Sequence, residues 1–281
     1  MTLWERFIQE RVYLKGISPA TVRYYRWVER AFRPILDAPT KAGMLECIQK
    51  LLADGTSPIS VNTYLRGFKA YCRWLNEEQS LKEVFRVQFL KTEQKVLNTF
   101  SAEQVKAIIA FKPTGTNLTR AHIVACLLLD TGLRISEVLG LPKENVDFDN
   151  FTLRVLGKGG KHRFVPFSAN LRRMLWTYSV KQCKSATLMF GTGRDTKMTI
   201  RNFERDFKAL GNLAGITGVR MSPHTCRHSF ACEYLRRGGN LEFLRRILGH
   251  SSILTTQKYL RSLGVEDLQA VHNGLSMLSA R

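Results

Sequence analysis

Apolar residues recur at helical spacing along most of this 281-residue chain, and one stretch, about 146–167, switches to strand spacing. Together these limit the chain to a mainly α fold with a small β-hairpin or sheet. Residues 1–84 read as four helices. Trp4, Phe7, Ile8 and Val12 mark the first. Ser18 caps the second, Pro19 takes its first position, and Val22, Tyr25, Val28 and Phe32 form its apolar face. The third spans about 40–53, and the fourth opens near Ser57-Pro58 and repeats apolar residues from Val61 to Leu75. Residues 85–99 lose the period and are polar and basic, which reads as an interdomain linker. Ser101 then caps a new helix, with Gln104 able to reach back to it and Phe100 able to staple onto Val105. A second domain, α+β, covers 100–281, and its β element is the hairpin in which FTLRVL and RFVPF flank GKGGKH.

Charge narrows the function. Lys and Arg total 43 against 23 Asp and Glu, a formal net of +20. Such an excess repels itself in the folded state and points to a polyanionic partner, nucleic acid before mere solubility. Two helix faces carry the excess. Arg23, Arg26, Arg30 and Arg33 line the second helix, and Asn62, Arg66, Lys69 and Arg73 line the fourth at spacings of 4, 3 and 4. A solvated face is the plain alternative, but stripes this free of acids read as DNA-contacting surfaces. The six cysteines include no C-x-x-C pair and sit mostly in apolar surroundings, as buried free thiols do. The first ten residues lack a signal-peptide pattern, and no run approaches the roughly 18 apolar residues of a membrane span. The expectation is a soluble cytoplasmic protein with no membrane partner.

Four stretches carry chemistry. In LLLDTGLRISEVLGL (127–141) an apolar helix stops at Thr131-Gly132, and Arg134 precedes a new helix that Ser136 is expected to cap. An arginine held at such a junction is preorganised for a bidentate anion contact. In LGKGGKHRF the turn holds Lys158, with Lys161 as its local competitor, and a turn lysine alone is most often just solvated. In SPHTCRHSFA (222–231) Ser222 caps a helix, Pro223 opens it, and His224 and Arg227 lie three apart near a helix N-terminus that attracts anions. His224 and His228 are i and i+4, but no glutamate lies between them and no third ligand follows, so no metal site is expected. In NLEFLRRILGHSSILTTQKYLR Asn240 caps a short helix, Gly249 ends it, His250 follows, Ser251 or Ser252 caps the next turn, and Tyr259 comes nine residues after His250.

Arg134, Lys158, His224, Arg227, His250 and Tyr259 stand in that order, each at an element boundary. TGLRISEVLGL, the GKG hairpin, H-T-C-R-H, LGH and the late tyrosine closely resemble the tyrosine recombinase (phage integrase) family over nearly the whole chain. The first domain is similar to that family's helical, SAM-like core-binding domain, and residues from about 99 are similar to its catalytic domain. Cys226 departs from the usual aliphatic residue, a change that packing should tolerate.

The resemblance implies metal- and ATP-independent phosphoryl transfer on double-stranded DNA, with no cofactor. Arg134 and Arg227 would clamp the phosphate oxygens and His250 would donate a third hydrogen bond. His224 would act beside the nucleophile. Tyr259 would form a 3′-phosphotyrosyl link, and Lys158 would protonate the leaving 5′-oxygen. It also implies a tetramer on two sites, an accessory or directionality protein as a possible partner, and a tail, 260–281, that docks on a neighbour or folds back. Starting at the core-binding helices, the chain is expected to lack an arm-binding domain and to follow the simple two-domain Xer-like plan. A type IB topoisomerase shares the active-site set, and a non-catalytic DNA-binding regulator is the reading from another class.

Overall fold

The structure is a computed structural model describing residues 1–78, 86–92, 98–157, 160, 162–182, 187–192 and 196–275. The chain divides into two compact units, Met1–Lys95 and Val96–Arg281.

The first unit consists of α1 (Leu3–Lys15), α2 (Pro19–Phe32), α3 (Lys41–Ala53) and α4 (Pro58–Glu77). Each starts at a hydroxyl cap: Thr2, Ser18, Thr40 and Ser57 accept from the backbone N–H three residues on. Pro19 and Pro58 sit in the first turn, where the missing N–H costs nothing. The core is aromatic, with Phe7, Phe32, Phe68 and Tyr71 fully buried and Phe32 stacked on Phe68 at 4.3 Å between ring centroids. Gly67 lets α2 and α4 approach closely, since a Cβ there would meet Val28 Cγ2 at 2.5 Å. The Tyr24 hydroxyl then donates across the gap to Thr63 O at 2.6 Å.

Two expectations change here. Residues 86–92 are not free linker: Val87 is buried in this core, and Leu90 packs against it. Asn62 explains why. Its amide donates to Leu90 O at 2.9 Å while its Oδ1 accepts from Leu90 N at 2.8 Å. Asn62 is accordingly buried, at 7% exposure, and leaves the DNA-facing stripe in which the sequence had placed it. A paired amide at a helix surface ties down the next segment instead of reading a ligand.

In the second unit, α5 (Ala102–Ala110) opens at Ser101 with the reciprocal Ser101–Gln104 capping pair. The central α6 (Thr116–Thr131) is buried through Ala121–Leu128. It is followed by α7 (Ile135–Leu139) and an antiparallel sheet of β1 (Val146–Asp147), β2 (Thr152–Leu156) and β3 (His162–Pro166), in the order β1-β2-β3. Leu153 pairs with Val165, and Leu156 with His162. Then come α8 (Ala169–Gln182), α9 (Ile200–Leu213), α10 (Pro223–Arg236), α11 (Leu241–Leu248), α12 (Ile253–Gln257) and α13 (Val265–Leu275). α6 packs against α8, α9 and α10, so the core surrounds it. α13 packs on α10 of the same chain, with Arg236 Nε 3.2 Å from Asp267 Oδ1. Cys47, Cys72, Cys126, Cys226 and Cys232 are buried free thiols, and Cys183 lies outside the described residues. Among the described residues no helix is long and apolar enough to cross a membrane.

Candidate active site

Gly132, in the left-handed region at φ 63°, ends α6 and turns the chain toward Arg134. Arg134, not Ser136, is the N-cap of α7. The physical reason is Glu137, whose Oε2 accepts from the Arg134 backbone N–H at 2.9 Å. The same carboxylate takes Arg134 Nη1 at 3.1 Å and both Nη atoms of Arg163, from β3, at 2.9 Å each. Arg163 Nε donates to Ile247 O at 3.0 Å, and Arg134 Nη2 donates to Gly249 O at 3.1 Å. The Glu137 side chain is only 7% exposed. Burial alone would raise its pKa, but hydrogen bonds and charge from Arg163 and Arg134 outweigh it and hold the carboxyl below its ordinary value.

Arg227 comes from the first turns of α10. It is 6% exposed and donates Nη1 to Gly132 O at 2.7 Å and Nη2 to Leu248 O at 2.8 Å. Nη2 also meets His250 Nε2 at 2.9 Å. Burial and then the neighbouring Arg134 charge bring the Arg227 pKa down to about 10, which leaves it cationic.

His250 follows Gly249, whose φ of 64° closes α11. A guanidinium cannot accept, so Nε2 must be the acceptor of the Arg227 contact. The ring proton therefore sits on Nδ1 and is donated to the buried Thr256 Oγ1 at 2.9 Å. The ring is thus placed to accept at Nε2, where the sequence reading had expected it to donate. Burial first, then the charges of Arg227 and Arg134, push its pKa down to about 4.

Tyr259 ends this segment, 5% exposed, its ring parallel to that of His250 at 6.3 Å and tilted to that of His228 at 5.5 Å. Burial raises its pKa, while the charge of Arg227 and a hydrogen bond from it pull the other way.

The structure therefore brings together Arg134, Arg227, His250 and Tyr259. His224 is exposed on the first turn of α10, close enough to His228 to help lower the latter's pKa after burial. Lys158 lies outside the described residues, as does Lys161. Sequence reasoning missed Glu137, Arg163 and Thr256. Glu137 did carry a signal, three residues after an arginine at a helix start. Arg163 read as an ordinary strand residue, and Thr256 carried no signal. In the first unit Arg23, Arg26, Arg30, Arg66 and Arg73 are exposed, whereas Lys69 is half-buried with Nζ 5.3 Å from the centroid of the Phe89 ring.

Residues 98–264 match the model of the phage integrase family. The chain is 35% identical over 287 residues to tyrosine recombinase XerD of Vibrio vulnificus, covering 96% of this chain and 93% of that one. It is 32% identical over 254 residues to tyrosine recombinase XerA of Pyrococcus furiosus, covering 88% and 85%. Among solved structures, the Tn1549 transposon integrase in complex with transposon right end DNA superposes with a TM-score of 0.80 at 18% identity, covering 98% of this chain and 99% of that one. That last likeness is one of fold.

Proposed function

This chain belongs to the phage integrase family and is a tyrosine-type site-specific recombinase, and from that premise we propose that it cuts and rejoins double-stranded DNA through a 3′-phosphotyrosyl link on Tyr259. The observation that carries the proposal is the buried Tyr259 ring lying parallel to His250, whose Nε2 meets Arg227 at 2.9 Å beside Arg134.

Phosphoryl transfer spreads charge over the non-bridging oxygens, so fixed cations aimed at them lower the barrier. Arg134 and Arg227 fill that role because each guanidinium is anchored by backbone carbonyls, at Gly249 and at Gly132 and Leu248. The Tyr259 oxygen attacks phosphorus, its proton leaves to a neighbouring base, and the P–O5′ bond breaks. Lys158 supplies the proton to the 5′-oxygen. One phosphodiester is exchanged for one phosphotyrosine ester, so rejoining needs no ATP. Two guanidiniums supply the positive charge, so the scheme requires no metal ion. His224 is assigned beside the scissile phosphate. His250 can join the donors once Thr256 reverses its hydroxyl, donates to Nδ1 and leaves the proton on Nε2.

The exposed arginines of α2 and α4 are assigned to phosphate contacts on the same DNA. The protein is proposed to work as a tetramer on two sites, and Val265 and Leu268, both exposed on α13, supply apolar surface for contact between protomers. The Tn1549 integrase was solved with transposon right end DNA, which supports DNA as the substrate here.

The test is a duplex nicked near the cleavage point, so that the released 5′ fragment diffuses away. A covalent adduct formed by the wild type and absent in Tyr259→Phe is expected. Specific binding without any adduct would refute catalysis. Exchange between two duplexes, as against relaxation alone, separates recombination from topoisomerase activity.

A further inference from the structure

The exposed face of α9 carries Arg201, Arg205 and Lys208 at helical spacings of 4 and 3, opposite the buried Phe203, Phe207 and Leu210. Both ends of α9 lie against elements of the active site. Just before its start, Lys197 Nζ donates to Ser136 O, in the helix that Arg134 caps. Near its end, a Cβ at Gly211 would strike Met221, which precedes α10 and Arg227. The stripe therefore lies along a helix of about 21 Å by the usual rise, whose two ends both touch elements that carry the clamp residues.

Arg205 differs from its two neighbours. Adjacent residues on a helix do not face each other. Yet Arg205 Nε and Nη2 both converge on Oδ1 of Asp206, at 2.9 Å each. Asp206 is 8% exposed while the Arg205 side chain is 67% exposed. The buried carboxylate thus holds one edge of an exposed guanidinium. The other edge, Nη1 with the second Nη2 hydrogen, meets no acceptor among the described residues. That free edge is a two-pronged donor with a fixed plane. Its charge is already balanced by Asp206, which makes it a weak ligand for phosphate and suits it to a neutral acceptor pair. In the major groove the pair that matches is guanine O6 and N7. Arg201 and Lys208, a turn to either side, keep their charge for the flanking phosphates.

We propose that Arg205, braced by Asp206, is a specificity-determining residue that reads a guanine in the major groove beside the cleaved phosphate. The assignment rests on the proposed DNA substrate. It goes beyond it by naming which base one side chain recognises.

The experiment is selection from a duplex library with randomised positions, using the full chain, repeated with Arg205→Lys. Lysine keeps the positive charge but not the two-pronged edge. The wild type should enrich guanine at one position of each half-site. Arg205→Lys should lose that preference by about tenfold to a hundredfold, with other positions and the salt dependence unchanged. Unchanged preference at every position overturns the assignment. Equal weakening on all sequences overturns it too, because it makes Arg205 a phosphate ligand. The nicked-duplex assay on the selected sequence is read separately. A wild type that selects a site but forms no adduct refutes the catalytic reading, while the guanine position still decides the case of Arg205.

Discussion

His250 accepts a hydrogen bond from Arg227 through Nε2 at 2.9 Å and gives its own proton to Thr256. Both contacts require a neutral ring, and the ring's pKa of about 4 agrees with that requirement. The consequence for stability has a definite sign. Free histidine titrates near 6.5. Between about 6.5 and 4 the unfolded chain binds a proton here that the folded chain refuses, so stability falls as pH is lowered through that window. His250→Gln should therefore flatten part of the fall in urea midpoint between pH 7 and 4.5. His122 and His228, which burial also depresses, will keep the rest of it. An unchanged slope would show that His250 takes up its proton equally in the folded and the unfolded chain.

A second prediction concerns the carboxylate beneath the clamp. Glu137 is shared by Arg134 and Arg163, and its isolation from water makes each partner costly to remove. Breaking a buried pair on one side typically costs about 3–5 kcal/mol. Arg163→Ala should lower the melting temperature of the second unit and slow adduct formation, because Arg134 loses its brace. Arg163→Lys should recover part of the stability but little of the rate, since Lys cannot span both carboxylate oxygens and Ile247 O. DNA binding by the exposed arginines of the first unit should survive in both variants.

The difference between Arg134 and Arg163 shows where sequence reading stops. The four helices of the first unit, the caps at Ser18, Ser101, Ser222 and Asn240, and the turn at Gly249 were legible, because caps and breakers act within four residues of themselves, whereas α8 and α9 were not placed individually. Arg134, Arg227, His250 and Tyr259 were singled out by motifs that resemble the tyrosine recombinase family, and the structure brings the four together. Arg163 was not, since its role depends on a carboxylate 26 residues away and a carbonyl 84 residues away. Asn62 was misplaced for a related reason. Its helical position matched the basic stripe, but its amide found Leu90, 28 residues later, in a segment with no period to announce it.

A third prediction separates charge from geometry at the clamp. Arg227 serves Gly132, Leu248 and His250 together. A lysine retains the charge but cannot present donors in that fixed fork. Arg227→Lys should bind DNA as the wild type does and form adduct at least about a hundredfold more slowly, as loss of one oxyanion contact does elsewhere. Near-normal adduct formation would remove Arg227 from the clamp.

The last prediction contrasts two neighbours on α4. Arg66 is exposed and free to meet a phosphate, so Arg66→Ala should weaken DNA binding on all sequences and reduce the slope of log K against log salt by about one. Asn62 is buried and already paired at both ends of its amide. Asn62→Ala leaves the backbone N–H and C=O of Leu90 unpaired, at a cost of about 1–3 kcal/mol for each one kept from water. It should destabilise the first unit in urea and leave the salt slope unchanged. A changed slope in Asn62→Ala, with stability intact, would return Asn62 to the DNA-facing stripe.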